Sequence, residues 1–179
     1  MTKIAVLGSN GMLGFDLTKA LTETENKLFE VNRMGISKFG NPCLSFDILL
    51  DPIEKLEKVL QNCDYVVNCT GLIKHKIAQT CQDYLNAFKI NSLFPIELND
   101  LAIKHDFKII QIATDCSYSG FSGTYNEASH RDASDVYGMS KILGEVISPN
   151  FQIIRSSIIG KETKDHVELL DWVLNQPQN

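Results

Sequence analysis

Long apolar runs are missing from this 179-residue chain, and none approaches the ~20 consecutive apolar residues of a membrane-spanning helix. The opening stretch, Met1-Thr2-Lys3-Ile4-Ala5-Val6-Leu7-Gly8, has too short an apolar segment for a secretory leader and runs straight into a glycine loop. No membrane partner is therefore expected. Paired cysteines are missing as well. Cys43, Cys63, Cys69, Cys81 and Cys116 include no CxxC pair, and an odd count makes a poor disulfide framework, so a reduced, cytoplasmic chain is expected. Basic charge is scarce: 17 Lys and Arg stand against 22 Asp and Glu, a net −5. That balance argues against nucleic acid, whose phosphates are gripped by clustered cations. His105, His130 and His166 lie scattered without metal-ligand spacing, so no metal site is expected. What remains is 44% hydrophobic and 22% charged, an ordinary globular composition with length for one sizeable domain.

The apolar signal comes as short β-rich runs alternating with helical patterns. Candidate strands are Lys3–Leu7, Leu28–Val31, Cys43–Phe46, Tyr65–Cys69, Lys108–Ala113 and Gln152–Arg155. Between them, Leu13, Leu17, Ala20 and Leu21 recur at helical spacing, as do Ile53, Leu56, Val59 and Leu60. A longer pattern carries Ala87, Ile90, Phe94, Leu98, Leu101 and Ala102, with Pro95 expected to kink or split it. Met139, Ile142, Leu143, Val146 and Ile147 predict a further helix, capped by Ser134 or Asp135 and ended by Pro149-Asn150. Ser156–Gly160 reads as strand end or loop, and His166–Leu174 as a last helix. Strands alternating with helices imply an α/β fold: a Rossmann-type doubly wound parallel sheet in three layers, α/β/α.

Gly8-Ser9-Asn10-Gly11-Met12-Leu13-Gly14 follows the first strand and opens the first helix. Glycines there allow a tight turn, close approach of a phosphate to the main chain, and packing of helix on strand. The helix end adds N–H groups and a positive dipole for a diphosphate. The spacing is GxxGxxG, with Asn10 where GxGxxG has its second glycine. Cofactor type is read at the end of the second strand, where an acidic residue would accept from a ribose 2′-hydroxyl. Asn32 and Arg33 stand there instead, and a guanidinium suits a 2′-phosphate, so NADP(H) is favoured over NAD(H). The competing reading makes Arg33 a solvated loop charge. Asp47-Ile48 after the third strand is expected either to bracket the adenine or, through Asp47, to cap the helix near Pro52.

Tyr137-Gly138-Met139-Ser140-Lys141 places a phenol and an ammonium at i and i+4 on one helix face. A free tyrosine, with a pKa near ~10, is a poor proton shuttle at neutral pH until a nearby cation stabilises its phenolate. Thr114 ends the fifth strand at the edge where open α/β sheets bind ligands, placed to hydrogen-bond a substrate carbonyl. Lys74-His75-Lys76 follows the fourth strand and is read either as a phosphate contact or as a solvated basic loop. Cys69 reads as core rather than nucleophile.

The segments GSNGMLG at 8–14, Val66-Val67-Asn68-Cys69-Thr70-Gly71, Ala113-Thr114-Asp115 and Val136–Lys141 together resemble an extended short-chain dehydrogenase/reductase, of the dTDP-4-dehydrorhamnose reductase branch. Gly123–Glu127 and Ile154-Arg155-Ser156-Ser157 fit later blocks of that family. The resemblance implies Thr114, Tyr137 and Lys141 as catalytic triad, with Lys141 also on the nicotinamide ribose. Cofactor contacts are expected from Gly8, Asn10, Gly11, Met12, Leu13, Gly14, Asn32, Arg33, Asp47, Ile48, Cys69, Thr70, Gly71, Tyr137 and Lys141. Asp115 and Cys116 are expected beside a nucleotide-linked sugar, in a chain that forms a homodimer. Cys116-Ser117-Tyr118 departs from the family's usual Tyr-Val-Phe in the block that faces the sugar. Residues 1–160 read as the NAD(P)-binding domain and 161–179 as the start of a truncated C-terminal substrate region. The expected reaction is reduction of a keto-sugar for cell-surface polysaccharide synthesis. The alternatives are epimerisation or dehydration, and a non-catalytic NADP-binding regulatory module.

Overall fold

The apolar runs Lys3–Leu7 and Tyr65–Asn68 become strands β1 and β4, side by side in the middle of a six-stranded sheet. The computed structural model describes residues 1–77, 79–160 and 169–176. On one flank of β1 lie β2 (Lys27–Asn32) and β3 (Cys43–Ser45); beyond β4 lie β5 (Lys108–Ala113) and β6 (Phe151–Arg155). Every neighbouring pair is parallel. The order β3-β2-β1-β4-β5-β6 grows outward in both directions from the β1/β4 seam. Because parallel crossovers are right-handed, connections running in opposite directions fall on opposite faces of the sheet. The expected doubly wound fold is the one found, and its switch point is that seam.

The helices are α1 (Met12–Thr22), α2 (Ile53–Leu60), α3 (Cys81–Phe88), α4 (Phe94–His105), α5 (Val136–Leu143) and α6 (Leu169–Leu174). Leu56 and Leu60 of α2 and Phe94, Leu98 and Ala102 of α4 are buried with Leu7, Val66 and Ile109 of the sheet. Phe46 and Phe94 face each other at 6.1 Å between centroids.

Pro95 does interrupt its helix, by a π turn over Lys89–Leu93 that joins α3 to α4 while the flanking backbone stays right-handed. Proline has no N–H for the carbonyl four residues back, here that of Asn91. Gly144 packs against this carbonyl so closely that a Cβ there would come within 2.0 Å of it. That contact also sets the end of α5. The helix stops at Leu143, not at Pro149-Asn150 as the apolar spacing suggests, and its last bonds tighten to Gly144 N–Lys141 O and Glu145 N–Ile142 O. Ile147 is consequently exposed rather than on a helical core face. Of the helix expected over His166–Leu174, Leu169–Leu174 is present and 166–168 lie outside the described residues. Ser156–Gly160 is loop.

Candidate active site

Parallel strands all end on the same edge. Gly8 after β1, Asn32 at the end of β2, Asp47 shortly after β3, Cys69-Thr70-Gly71 after β4, Thr114 after β5 and Ser156-Ser157 after β6 therefore border one crevice. Gly8 turns the chain with φ +78°, and a Cβ on it would lie 3.2 Å from Thr70 Cγ2 and 3.3 Å from the Cys69 carbonyl. Gly14 is tighter still, since its Cβ would be 2.2 Å from Gly8 O. The first turn of α1 carries no acidic residue and no side-chain cap, which leaves its positive end to an anion. Glycines this tightly packed bring the loop main chain and the uncapped N-terminal turn of α1 to the crevice without side chains in the way, so the residues present fit a dinucleotide diphosphate.

The end of β2 divides into two residues of opposite exposure. Arg33 is exposed, and its carbonyl accepts from Ser45 Oγ at 3.0 Å. Asn32 is buried and its amide is engaged inside the protein, with Ser9 Oγ at 2.9 Å and the N–H groups of Met34 and Gly35 at 3.0 and 2.9 Å. An outward cofactor contact through that amide is therefore not what the structure builds. Asp47 heads a turn, its Oδ1 accepting from Leu49 N at 2.9 Å, while α2 takes Pro52 as N-cap. The expectation that Asp47 caps α2 is corrected, because the intervening turn carries the chain past it. Ile48 packs against the core.

Across the seam, α5 starts from Asp135, which caps it by accepting from Gly138 N at 3.0 Å; Ser134 does not fill that position. Tyr137 is half-buried and Lys141 is buried one turn later. Lys141 Nζ donates to Ile112 O at 2.9 Å, and a Cβ on Gly71 would lie 3.6 Å from it. Burial pulls its ammonium down to about 8, against the opposing pull of Glu145 and Cys69. The Cys69 thiol goes the other way, pushed by burial up to about 12 despite Lys141, which suits a core residue. Thr114 is buried and caps a short turn over Asp115–Ser117, accepting from Cys116 N at 3.2 Å and donating to Asp115 Oδ1 at 3.3 Å. The other carboxylate oxygen of Asp115 accepts from Ser157.

Several residues that hold this arrangement carry no motif. Asn91, in the π turn, accepts from Leu72 N at 2.8 Å and donates to Leu72 O and Ser140 Oγ at 2.9 and 3.0 Å. It fastens α5 to the loop after β4, and an asparagine four residues before a mid-helix proline was the available signal. Glu145, just past α5, is buried between Arg131 Nη1 at 2.6 Å and the Arg155 fork at 2.9 and 2.7 Å. Burial pushes its carboxyl up, but the Arg155 and Arg131 bonds more than reverse this and hold it below the usual carboxylate range. Arg155 also donates to Tyr118 Oη at 3.2 Å, and Tyr118 stacks on Tyr125 at 4.7 Å. Asp115, Cys116, Tyr118, Tyr125, Glu127 and Arg155 border a cavity of about 470 Å³ beside Thr114. Lys74 is ion-paired with Asp135 at 3.1 Å.

A doubly wound sheet with a glycine cradle at its switch point defines a Rossmann-type dinucleotide-binding unit. Residues 1–177 match the RmlD substrate binding domain family, and the chain belongs to it. It is 26% identical over 162 residues to a dTDP-4-dehydrorhamnose reductase of Aggregatibacter actinomycetemcomitans, covering 88% of this chain and 51% of that protein. The chain thus spans about half the length of this curated relative. Among solved structures, the dTDP-4-dehydrorhamnose reductase of Bacillus anthracis in complex with NADP superposes with TM-score 0.75 at 22% identity, over 93% of this chain and 58% of that one. A UDP-glucuronic acid 4-epimerase from Bacillus cereus in complex with NAD gives 0.68 at 21%, over 80% and 50%. At such identities these two report the shared fold.

Proposed function

We propose that this chain is the NADP(H)-binding part of a reductase that acts on a nucleotide-linked keto-sugar in polysaccharide sugar synthesis. The observation that carries the reading is the meeting of a glycine-walled cradle and a buried Lys141 at one strand edge, with Tyr137 one turn away on the same helix. Family membership and the reductase relative support it. Gly8, Gly11 and Gly14 would hold the diphosphate, Arg33 the 2′-phosphate, Cys69-Thr70-Gly71 the middle of the crevice, and Lys141 the nicotinamide ribose. When bound, the nicotinamide supplies a hydride.

The chain's own residues do the rest. The Thr114 hydroxyl orients the substrate carbonyl, and Tyr137 gives its proton to that oxygen as charge develops there. The ammonium of Lys141 lowers the acidity barrier by stabilising the phenolate left behind. Asp115 and Cys116 line the wall where the sugar would sit. All five cysteines are free thiols, which supports a reducing, cytoplasmic setting. No helix among the described residues is long and apolar enough to cross a membrane. The homodimer belongs to the proposal as well: the sole charged residue of α5, Lys141, is buried, so its solvent face of Met139 and Leu143 is uncharged, and Leu93 of the π turn packed on it and Ile96 of α4 are exposed too.

The test is titration with NADPH by fluorescence, then turnover with dTDP-4-dehydrorhamnose followed by absorbance, with Tyr137→Phe as control. Binding together with Tyr137-dependent oxidation supports the reading. Turnover that the substitution leaves intact overturns the mechanism, and binding without turnover favours a regulatory module.

A further inference from the structure

The side chain of Asn32 joins two loops that the sequence keeps apart. It is 5% exposed at the end of β2. Its Nδ2 lies 2.9 Å from Ser9 Oγ, 3.1 Å from Ile36 O and 3.2 Å from Cys43 Sγ, while Oδ1 accepts from the N–H groups of Met34 at 3.0 Å and Gly35 at 2.9 Å. Ser9 belongs to the glycine cradle; Met34 and Gly35 belong to the turn that follows Arg33. On its other side Arg33 is held by Ser45, whose hydroxyl donates to its carbonyl. Gly35 seals the turn, since its φ of +65° and a Cβ only 2.8 Å from Ser45 Cβ leave no room for a larger residue. The main chain around Arg33 is thus gripped from two directions while its side chain remains in solvent.

We propose that Asn32 is a positioning residue for Arg33, setting 2′-phosphate selectivity from inside the protein. The inference rests on the NADP(H) reading above. An amide is required because it must donate and accept at once; a carboxylate only accepts, and would confront Ile36 O with a second acceptor. Turned inward, Asn32 also offers nothing to a ribose 2′-hydroxyl. A guanidinium launched from a fixed backbone loses less freedom when it closes on a phosphate, so binding energy is retained.

NADPH and NADH are titrated by fluorescence against the wild-type chain, Asn32→Ala, Arg33→Ala and the double variant. Arg33→Ala is expected to weaken NADPH roughly tenfold or more, the scale of a charge-assisted hydrogen bond, with NADH little changed. Asn32→Ala keeps the charge yet loosens the turn, and should weaken NADPH by several-fold while NADH changes by less than about threefold. If Asn32 acts through Arg33, the double variant binds NADPH about as Arg33→Ala does, because the two effects are not independent. Equal loss of both dinucleotides in Asn32→Ala, or full additivity in the double variant, overturns the inference alone. An Arg33→Ala chain that loses both dinucleotides equally defeats the 2′-phosphate reading beneath it. Should Asn32→Ala fail to fold, Ser45→Ala removes the second grip from an exposed position. It should give a smaller loss confined to NADPH, and its absence counts against the inference.

Discussion

On the β1 side of the crevice the wall is built from seven consecutive residues, 8 to 14, whose glycines pack so closely that a Cβ at Gly8 or Gly14 would press on neighbouring residues. On the β5 side the wall is made by side chains that meet from far apart. Lys141 reaches Ile112 across 29 positions, Asn91 reaches Ser140 across 49, and Glu145 ties Arg131 to Arg155. The first wall ends in the N-terminal turn of α1, which carries no acidic residue and no side-chain cap. The second presents titratable groups whose behaviour depends on burial. Fixed dipoles need no tuning, whereas a lysine or carboxylate gains its character only from what surrounds it.

The largest expected effect falls on the second wall. Glu145→Ala leaves Arg131 and Arg155 facing each other without their carboxylate, in a position whose side chain has no solvent exposure. Removing one partner from a buried ion pair costs about 3–5 kcal/mol, and the partial exposure of the arginines draws this toward about 3. Urea unfolding reads it, and a loss under 1 kcal/mol would mean the cluster is solvated. On the first wall, Gly14→Ala drives a Cβ into the main-chain oxygen of Gly8, a clash that no rotamer can relieve. A stability loss of about 2–3 kcal/mol and loss of NADPH binding are expected. Retained affinity would show that the cradle is not where the diphosphate sits.

The contrast explains what sequence reveals. All six strands and the glycine loop were legible because they are local patterns, apolar runs or a fixed spacing directly after a strand. The placement of Tyr137 and Lys141 one turn apart on α5 is legible for the same reason. Glu145 was not, because its meaning lies in Arg131 and Arg155, and no spacing announces that these three converge. Nor was the end of α5: Val146 and Ile147 continue the apolar period, and only the Asn91 carbonyl freed by Pro95 explains why Gly144 stops it. By its place at the end of β2, Asn32 reads as a cofactor contact. The inward turn of its amide is a property of the loop, which the sequence does not spell out.

A titration sharpens the comparison further, since only the second wall should respond to mild alkali. In the folded chain Lys141 loses its proton near pH 8, whereas in the unfolded chain it holds it to about 10.5. Between those values the unfolded state binds more protons, so this group makes stability rise with pH. If Lys141 acts as proposed, function should move the opposite way, because an ammonium able to stabilise a Tyr137 phenolate is present below about pH 8 and lost above it. Stability and turnover measured together across pH 7 to 10 should diverge, and Lys141→Met should lose the rise in stability above pH 8 together with turnover. Parallel curves would mean that Lys141 keeps its charge throughout.

The smallest effect belongs to Lys74, whose reading as a phosphate contact competes with its ion pair to Asp135. Both partners are well exposed, at 68% and 43% of their side chains, so screening leaves the pair well under about 1 kcal/mol. Asp135 keeps its cap on Gly138 N without the lysine, so α5 retains its start. Lys74→Ala should therefore lower the unfolding midpoint only slightly and leave NADPH affinity unchanged, whereas Asp135→Ala, which removes a helix cap, should cost about 1 kcal/mol. A Lys74→Ala chain with normal stability and NADPH binding but a several-fold weaker hold on a nucleotide-sugar would shift Lys74 from latch to ligand. Such a result would give the side-chain wall a phosphate contact of its own, and the proposed division between a backbone wall for anions and a side-chain wall for proton transfer would fail.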